Sequence, residues 1–113
     1  MTPRTTPLRW DECPLDKVTE MVARKTIIGA EQLLAQSYLK KGALVPLHVY
    51  ASEQMVYVLQ GALRLVVDGE DVTVREGEVL PLPAHRPRQV EALDDTFVLS
   101  IRQLDASDSP EAS

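Results

Sequence analysis

The sequence predicts an all-β single domain, a closed antiparallel sandwich or barrel, on three observations. Eight prolines and five glycines cut the 113 residues into pieces of about five to nine residues, which is strand length rather than helix length. Apolar residues alternate with period two: Met55, Tyr57 and Leu59 share one face of a strand while Val56, Val58 and Gln60 share the other. Asp68-Gly69, between Leu63 to Val67 and Val72 to Val74, is a dipeptide that tolerates the positive φ angles of a tight hairpin.

In chain order, residues 1–8 carry Pro3 and Pro7 among threonines and are expected to be a loose tail. A short helical turn is expected within Leu15 to Met21. Glu31 to Lys40 is rich in helix formers, yet sheet context overrides that weak preference, and the segment is read as a strand entering a turn at Lys41-Gly42. The strand around Val56 ends at Gly61 and the next covers Leu63 to Val67. Val79-Leu80 follows Gly77, and a bend through Pro81, Pro83 and Pro87 leads to Gln89 through Leu93. Asp94-Asp95 turns the chain into Phe97 to Ile101. Residues 105–113 hold nothing apolar larger than alanine and are expected to be a second loose tail, leaving one domain over 9–104. About eight short strands, with no room for a layer of helices, make the interior of such a barrel a pocket.

Composition removes several function classes. Seventeen acidic against twelve basic residues give a formal charge of −5, which opposes a broad grip on nucleic-acid phosphates. One Trp, one Phe and three Tyr are too few for base-stacking platforms. No apolar run is long enough to span a bilayer and the start lacks the continuous apolar stretch of a signal peptide, so the expectation is a soluble, cytoplasmic protein that binds neither membrane nor nucleic acid. The single cysteine, Cys13, can form neither an internal disulfide nor a thiolate metal cluster, and it is read as structural or incidental. A chain this short leaves much apolar surface wet, and a homodimer is expected to cover some of it.

The run from Gly42 to Gly61 resembles the first motif of the cupins: a glycine, five residues, His-x-His, three or four residues, Glu or Gln, six residues and a glycine. Gly42, His48, Gln54 and Gly61 fall on their marks. The second motif, glycine, five residues, Pro-x-Gly, two residues and His, is matched by Gly77 and Pro83, with His85 where the inner glycine often stands and Arg88 in place of the last histidine. The resemblance runs from about Trp10 to Gln103 and points to small single-domain bacterial members of the RmlC-like group. It implies a double-stranded β-helix, or jelly-roll, barrel in which three histidines and a Glu or Gln converge on a divalent metal. It does not fix a reaction, because one fold hosts many chemistries.

Two departures from that pattern are the most informative feature of the chain. Tyr50 replaces the second histidine and Arg88 the third. His48 and Gln54 alone are too few donors for a mononuclear site. Arg88 has no acceptor and a permanent charge, so it repels a cation, by about 4 kcal/mol per unit-charge pair at 4 Å and an effective dielectric of about 20. The expected cofactor is therefore none. The same guanidinium favours an anion, which it can meet with two parallel charge-assisted hydrogen bonds. His48 then acts as proton acceptor, Tyr50 as donor and Arg88 as stabiliser of a developing oxyanion. Gln54, Val56, Val58, His85 and Val90 are the expected substrate-binding residues, with Leu44 placed beside them by strand parity.

This reading is a metal-independent enzyme for isomerisation, cyclisation, dehydration or lyase chemistry on a small anionic or carbonyl-bearing molecule, without a redox cofactor. Metal-free relatives such as the sugar epimerases supply the analogy. Two alternatives stand beside it: a metal-dependent cupin holding one iron, zinc or nickel weakly through His48 and Gln54, aided by Tyr50 or His85, and a non-catalytic ligand-binding cupin. Each residue also has a plainer placement. His48 is then a packed relic, Tyr50 fills volume, Arg88 is paired with Glu53 or Glu91, and His85 with Arg86 lies in a solvated loop. Glu53 has the outward parity.

Overall fold

The computed structural model describes residues 6–104. The expected tail over 105–113 and the first five residues of the other lie outside them; Thr6, Pro7 and Leu8 are exposed and outside regular structure.

Ten strands form: β1 (Asp16–Thr19), β2 (Val22–Ile28), β3 (Gln32–Leu39), β4 (Leu44–His48), β5 (Gln54–Gln60), β6 (Ala62–Val67), β7 (Glu70–Arg75), β8 (Val79–Leu82), β9 (Arg88–Ala92) and β10 (Thr96–Gln103). Every pairing is antiparallel. One sheet has the order β1-β2-β3-β10-β5-β8 and the other β4-β9-β6-β7, so strands distant in sequence become neighbours and the two sheets enclose one core. This is the closed antiparallel barrel expected from the spacing of the strands, in the jelly-roll form that the family resemblance implies.

The alternation holds where it was clearest. Val56 and Val58 are buried, whereas Met55 and Tyr57 face outward, because a pleated strand sends successive side chains to opposite faces. Asp68 and Gly69 both have positive φ, 53° and 84°, as the two-residue hairpin between β6 and β7 demands. The helix-forming residues of 31–40 lie in β3, which pairs with β2 on one side and β10 on the other, and two ladders outweigh a propensity of a few tenths of a kcal/mol per residue.

The N-terminal part differs from expectation. Leu15 to Met21 contains no helical turn but edge strand β1, wholly exposed, and the turn that feeds β2. The only helical residues among those described are a 3-10 turn at Trp10–Glu12. β1 and β2 bring the strand count from about eight to ten. Val22–Ile28 lacks clean alternation because polar Arg24 and Thr26 share the parity of buried Val22, while Lys25 on the other face donates from Nζ to the Trp10 carbonyl at 2.7 Å.

Gly61 is fixed by close approach. Its φ is +90°, and a Cβ there would run into the Asp95 carbonyl and lie 2.6 Å from Thr96 Oγ1. Thr96 is fully buried; its hydroxyl lies within hydrogen-bond distance of the Ala62 and Asp94 carbonyls and accepts from the Ala62 N–H. The β5–β6 turn is thereby fastened to the start of β10.

Candidate functional site

A cavity of about 100 Å³ lies between the two sheets. Val22, Leu39, Val45, Val56, Leu63, Leu65, Leu82, Val90 and Val98 supply its apolar wall. Its polar groups come from Arg24, Ser37, His48, Tyr50, Gln54, Arg88 and Ser100. No aspartate or glutamate among the described residues lines it.

Local backbone irregularity positions the first motif. β4 pairs with β9 through Val45 with Val90 and His48 with Arg88; three residues on one strand span two on the other, which is a β-bulge. The extra residue reverses the parity, so Val45 and His48 both face the cavity while Leu44 is 69% exposed on the outside. Leu44 is thus corrected by the bulge. β4 ends at His48, so Tyr50 reaches the cavity from the following loop.

Tyr50 is the hub of the polar cluster. The Arg88 guanidinium carbon lies 4.5 Å from its ring centroid and that of Arg102 lies 4.4 Å away, two cation–π contacts on one ring. The His48 ring lies against it as well, centroids 4.2 Å apart and tilted by 56°. The imidazole of His48 is exposed at the mouth and makes no hydrogen bond among the described residues.

Arg88 is 4% exposed, and its two terminal nitrogens, Nη1 and Nη2, are buried without a hydrogen-bond partner among the described residues. Burial pulls its pKa below arginine's ordinary range; Tyr50 opposes that shift and the neighbouring Arg102 adds to it. The pairing of Arg88 with Glu53 or Glu91 is not formed. Glu91 lies instead against Arg64, which also meets Asp71, and Glu53 points outward as its parity required.

Two expected binding residues are displaced from the cavity. Val58 is fully buried but lies in the packed core beyond the cavity wall. His85 is exposed in the loop after β8, where its backbone N–H donates to the Tyr50 carbonyl at 2.8 Å and its φ is +64°. A left-handed backbone explains why a glycine suits this position, and it turns the imidazole away from the interior. Gln54, Val56 and Val90 line the cavity as expected. Arg24, Ser37 and Ser100 were missed, although the inward parity of Arg24 with buried Val22 was readable once β2 is recognised as a strand.

The residues present do not fit a divalent metal. His48 and Gln54 reach the same cavity, but Arg88 stands opposite His48 in the ladder and brings a buried positive charge to where a third ligand would sit. Among the described residues no three His, Cys, Asp or Glu side chains cluster in a way that could hold a metal ion.

A two-sheet antiparallel barrel with a polar-lined cavity between its sheets defines a jelly-roll domain. The cupin-domain family profile matches residues 36–102, and the chain belongs to that family. An uncharacterised protein of Methanocaldococcus jannaschii, MJ1618, is 28% identical over 75 residues, or 66% of this chain; the chain spans about three-fifths of that relative's length. An RmlC-like cupin from Shewanella frigidimarina superposes with a TM-score of 0.83 at 16% identity, covering 96% of this chain and 98% of the other. KdgF from Halomonas sp. gives 0.78 at 23% identity, covering 87% and 92%, and a predicted oxalate decarboxylase from Thermotoga maritima gives 0.77 at 20%, covering 88% and 100%. These structural likenesses are of fold. No helix among the described residues is long and apolar enough to cross a membrane.

Proposed function

We propose that the chain is a small-molecule cupin whose cavity takes an anionic oxygen of its substrate on Arg88 and carries out metal-independent acid–base chemistry of the isomerase, cyclase or lyase type. One observation carries the reading: among the described residues, Arg88 is 4% exposed, has no hydrogen-bond partner on either terminal nitrogen, and lines a cavity with no carboxylate. Leaving such donors unsatisfied is costly, and a carboxylate or enolate oxygen satisfies them with bidentate geometry. His48, beside Arg88 in register, takes the proton, and Gln54 orients a carbonyl or hydroxyl. Tyr50 holds Arg88 by its ring face and offers its hydroxyl as donor.

One feature favours a non-catalytic binding cupin as the second reading: no hydrogen bond among the described residues orients the His48 imidazole, whereas a general base is ordinarily held by a partner. A cytoplasmic homodimer belongs to the same proposal. Met55, Tyr57, Val79 and Ile101 are neighbours on the outside of the six-stranded sheet and all are exposed, a patch that a second copy would cover.

Calorimetric titration with propionate and its neutral amide, on the wild type and Arg88→Gln, tests the anion site; propionate alone should bind, and only to the wild type. Equal binding of acid and amide would overturn the reading. Proton transfer is read by NMR as solvent-deuterium uptake into a panel of small 2-keto and 3-hydroxy acids, with His48→Gln as control; binding without uptake establishes the second reading. About one metal per chain surviving dialysis against a chelator would remove the metal-independent part.

A further inference from the structure

Arg88 is not the only cation facing the cavity. Arg24 enters it from β2 in the six-stranded sheet, whereas Arg88 enters from β9 in the four-stranded sheet. Packed sheets stand about 10 Å apart, so the two guanidinium groups address one enclosed space from opposite walls. The hydrogen bond recorded for Arg24 runs from Nε to Ser37 Oγ at 3.3 Å; its terminal nitrogens meet no carboxylate among the described residues. The ion pairs found, around Arg9, Lys17 and Arg64, join exposed side chains. A chain with formal charge −5 thus keeps two arginines, and no acid among the described residues, on its cavity wall.

We infer that this cavity is built for a two-ended anion, a short-chain dicarboxylate with one carboxylate on Arg88 and the other on Arg24. The inference rests on the anion-site reading above and deepens it. A single carboxylate leaves one of two facing cations uncompensated, while a dianion neutralises both. The hydroxyls of Ser37 and Ser100 and the amide of Gln54 line the same space and can bond carboxylate oxygens or a substituent on the carbons between them. A volume of about 100 Å³, roughly that of three liquid waters, restricts the guest to a short chain.

The experiment titrates malonate, succinate, glutarate and butyrate into the full chain as wild type, Arg24→Gln and Arg88→Gln, each checked by circular dichroism. The best dicarboxylate should bind the wild type about tenfold or more tighter than butyrate. Arg24→Gln should erase that advantage and leave butyrate within about twofold of its wild-type affinity. Should Arg24→Gln fail to fold, Arg24→Lys retains the charge and should keep most of the dicarboxylate preference. Dicarboxylates that bind the wild type no tighter than butyrate, or a loss in Arg24→Gln equal for both acids, would overturn the inference and leave the anion site standing. If neither acid class binds, or Arg88→Gln leaves their affinities unchanged, the parent reading fails instead.

Discussion

His48 and Arg88 face each other across the β4–β9 ladder, setting an imidazole at the mouth of the cavity beside a guanidinium 4% exposed. The pair lies where the family resemblance implies two histidine ligands. The exchange turns a metal position into a fixed positive charge that rests on the Tyr50 ring while its terminal nitrogens lack hydrogen-bond partners among the described residues.

Replacing the charge by an apolar chain of similar length should not destabilise the fold. A buried cation with unsatisfied donors costs free energy, and substituting it by a hydrophobe is often neutral or stabilising by about 1–4 kcal/mol. Urea unfolding of Arg88→Met should therefore show a midpoint equal to or above the wild type while propionate binding disappears. A loss of more than about 2 kcal/mol would mean that the guanidinium is compensated in solution.

Tyr50 has two separable parts. Tyr50→Phe keeps the ring on which Arg88 and Arg102 rest, so propionate affinity should stay within about twofold; Tyr50→Ala removes the platform and should weaken it about fivefold or more, on a cation–π contact of about 1 kcal/mol or above. If Tyr50→Phe keeps affinity but abolishes deuterium uptake, the hydroxyl is the proton donor.

Stability should be flat in pH as far as Arg88 is concerned. Its folded value is lowered, so its burial cost is constant while the side chain is charged in both folded and unfolded states, and it is relieved only as pH rises through the lowered value. Between about pH 6 and 9 the wild type and Arg88→Met should show parallel stability profiles, the gap narrowing only in strong alkali. Diverging profiles near neutrality would show that Arg88 acts through a neighbour that titrates there.

Tyr50→His combined with Arg88→His should restore a ligand set with His48 and Gln54, since all four positions line one cavity. The double variant should hold about one zinc or nickel per chain after dialysis, by elemental analysis, where the wild type holds less. No gain of metal would mean that the four side chains do not converge in solution.

Gly61→Ala should cost about 2–4 kcal/mol in urea unfolding, because it combines a φ of +90° with collision against Asp95 and Thr96. A cost below about 1 kcal/mol would show that the turn can relax away from β10.

The chain alone determined the strands with clean alternation, the Asp68-Gly69 hairpin and the all-β class, because period-two burial and positive-φ turns leave their mark on adjacent residues; the motif positions of His48, Gln54, Gly61 and Arg88 came from the resemblance to the cupin motifs. Tertiary structure decided which of these reach the cavity. The β4 bulge turned Leu44 out and Val45 in, the left-handed backbone at His85 took its imidazole away, and the crossing of β2 and β9 into opposite sheets set Arg24 against the same space as Arg88. Pro46 marks β4 as an edge or bulged strand but not which neighbours turn inward, and sheet order is set by pairing between distant segments, so neither parity nor order can be read from neighbouring residues alone.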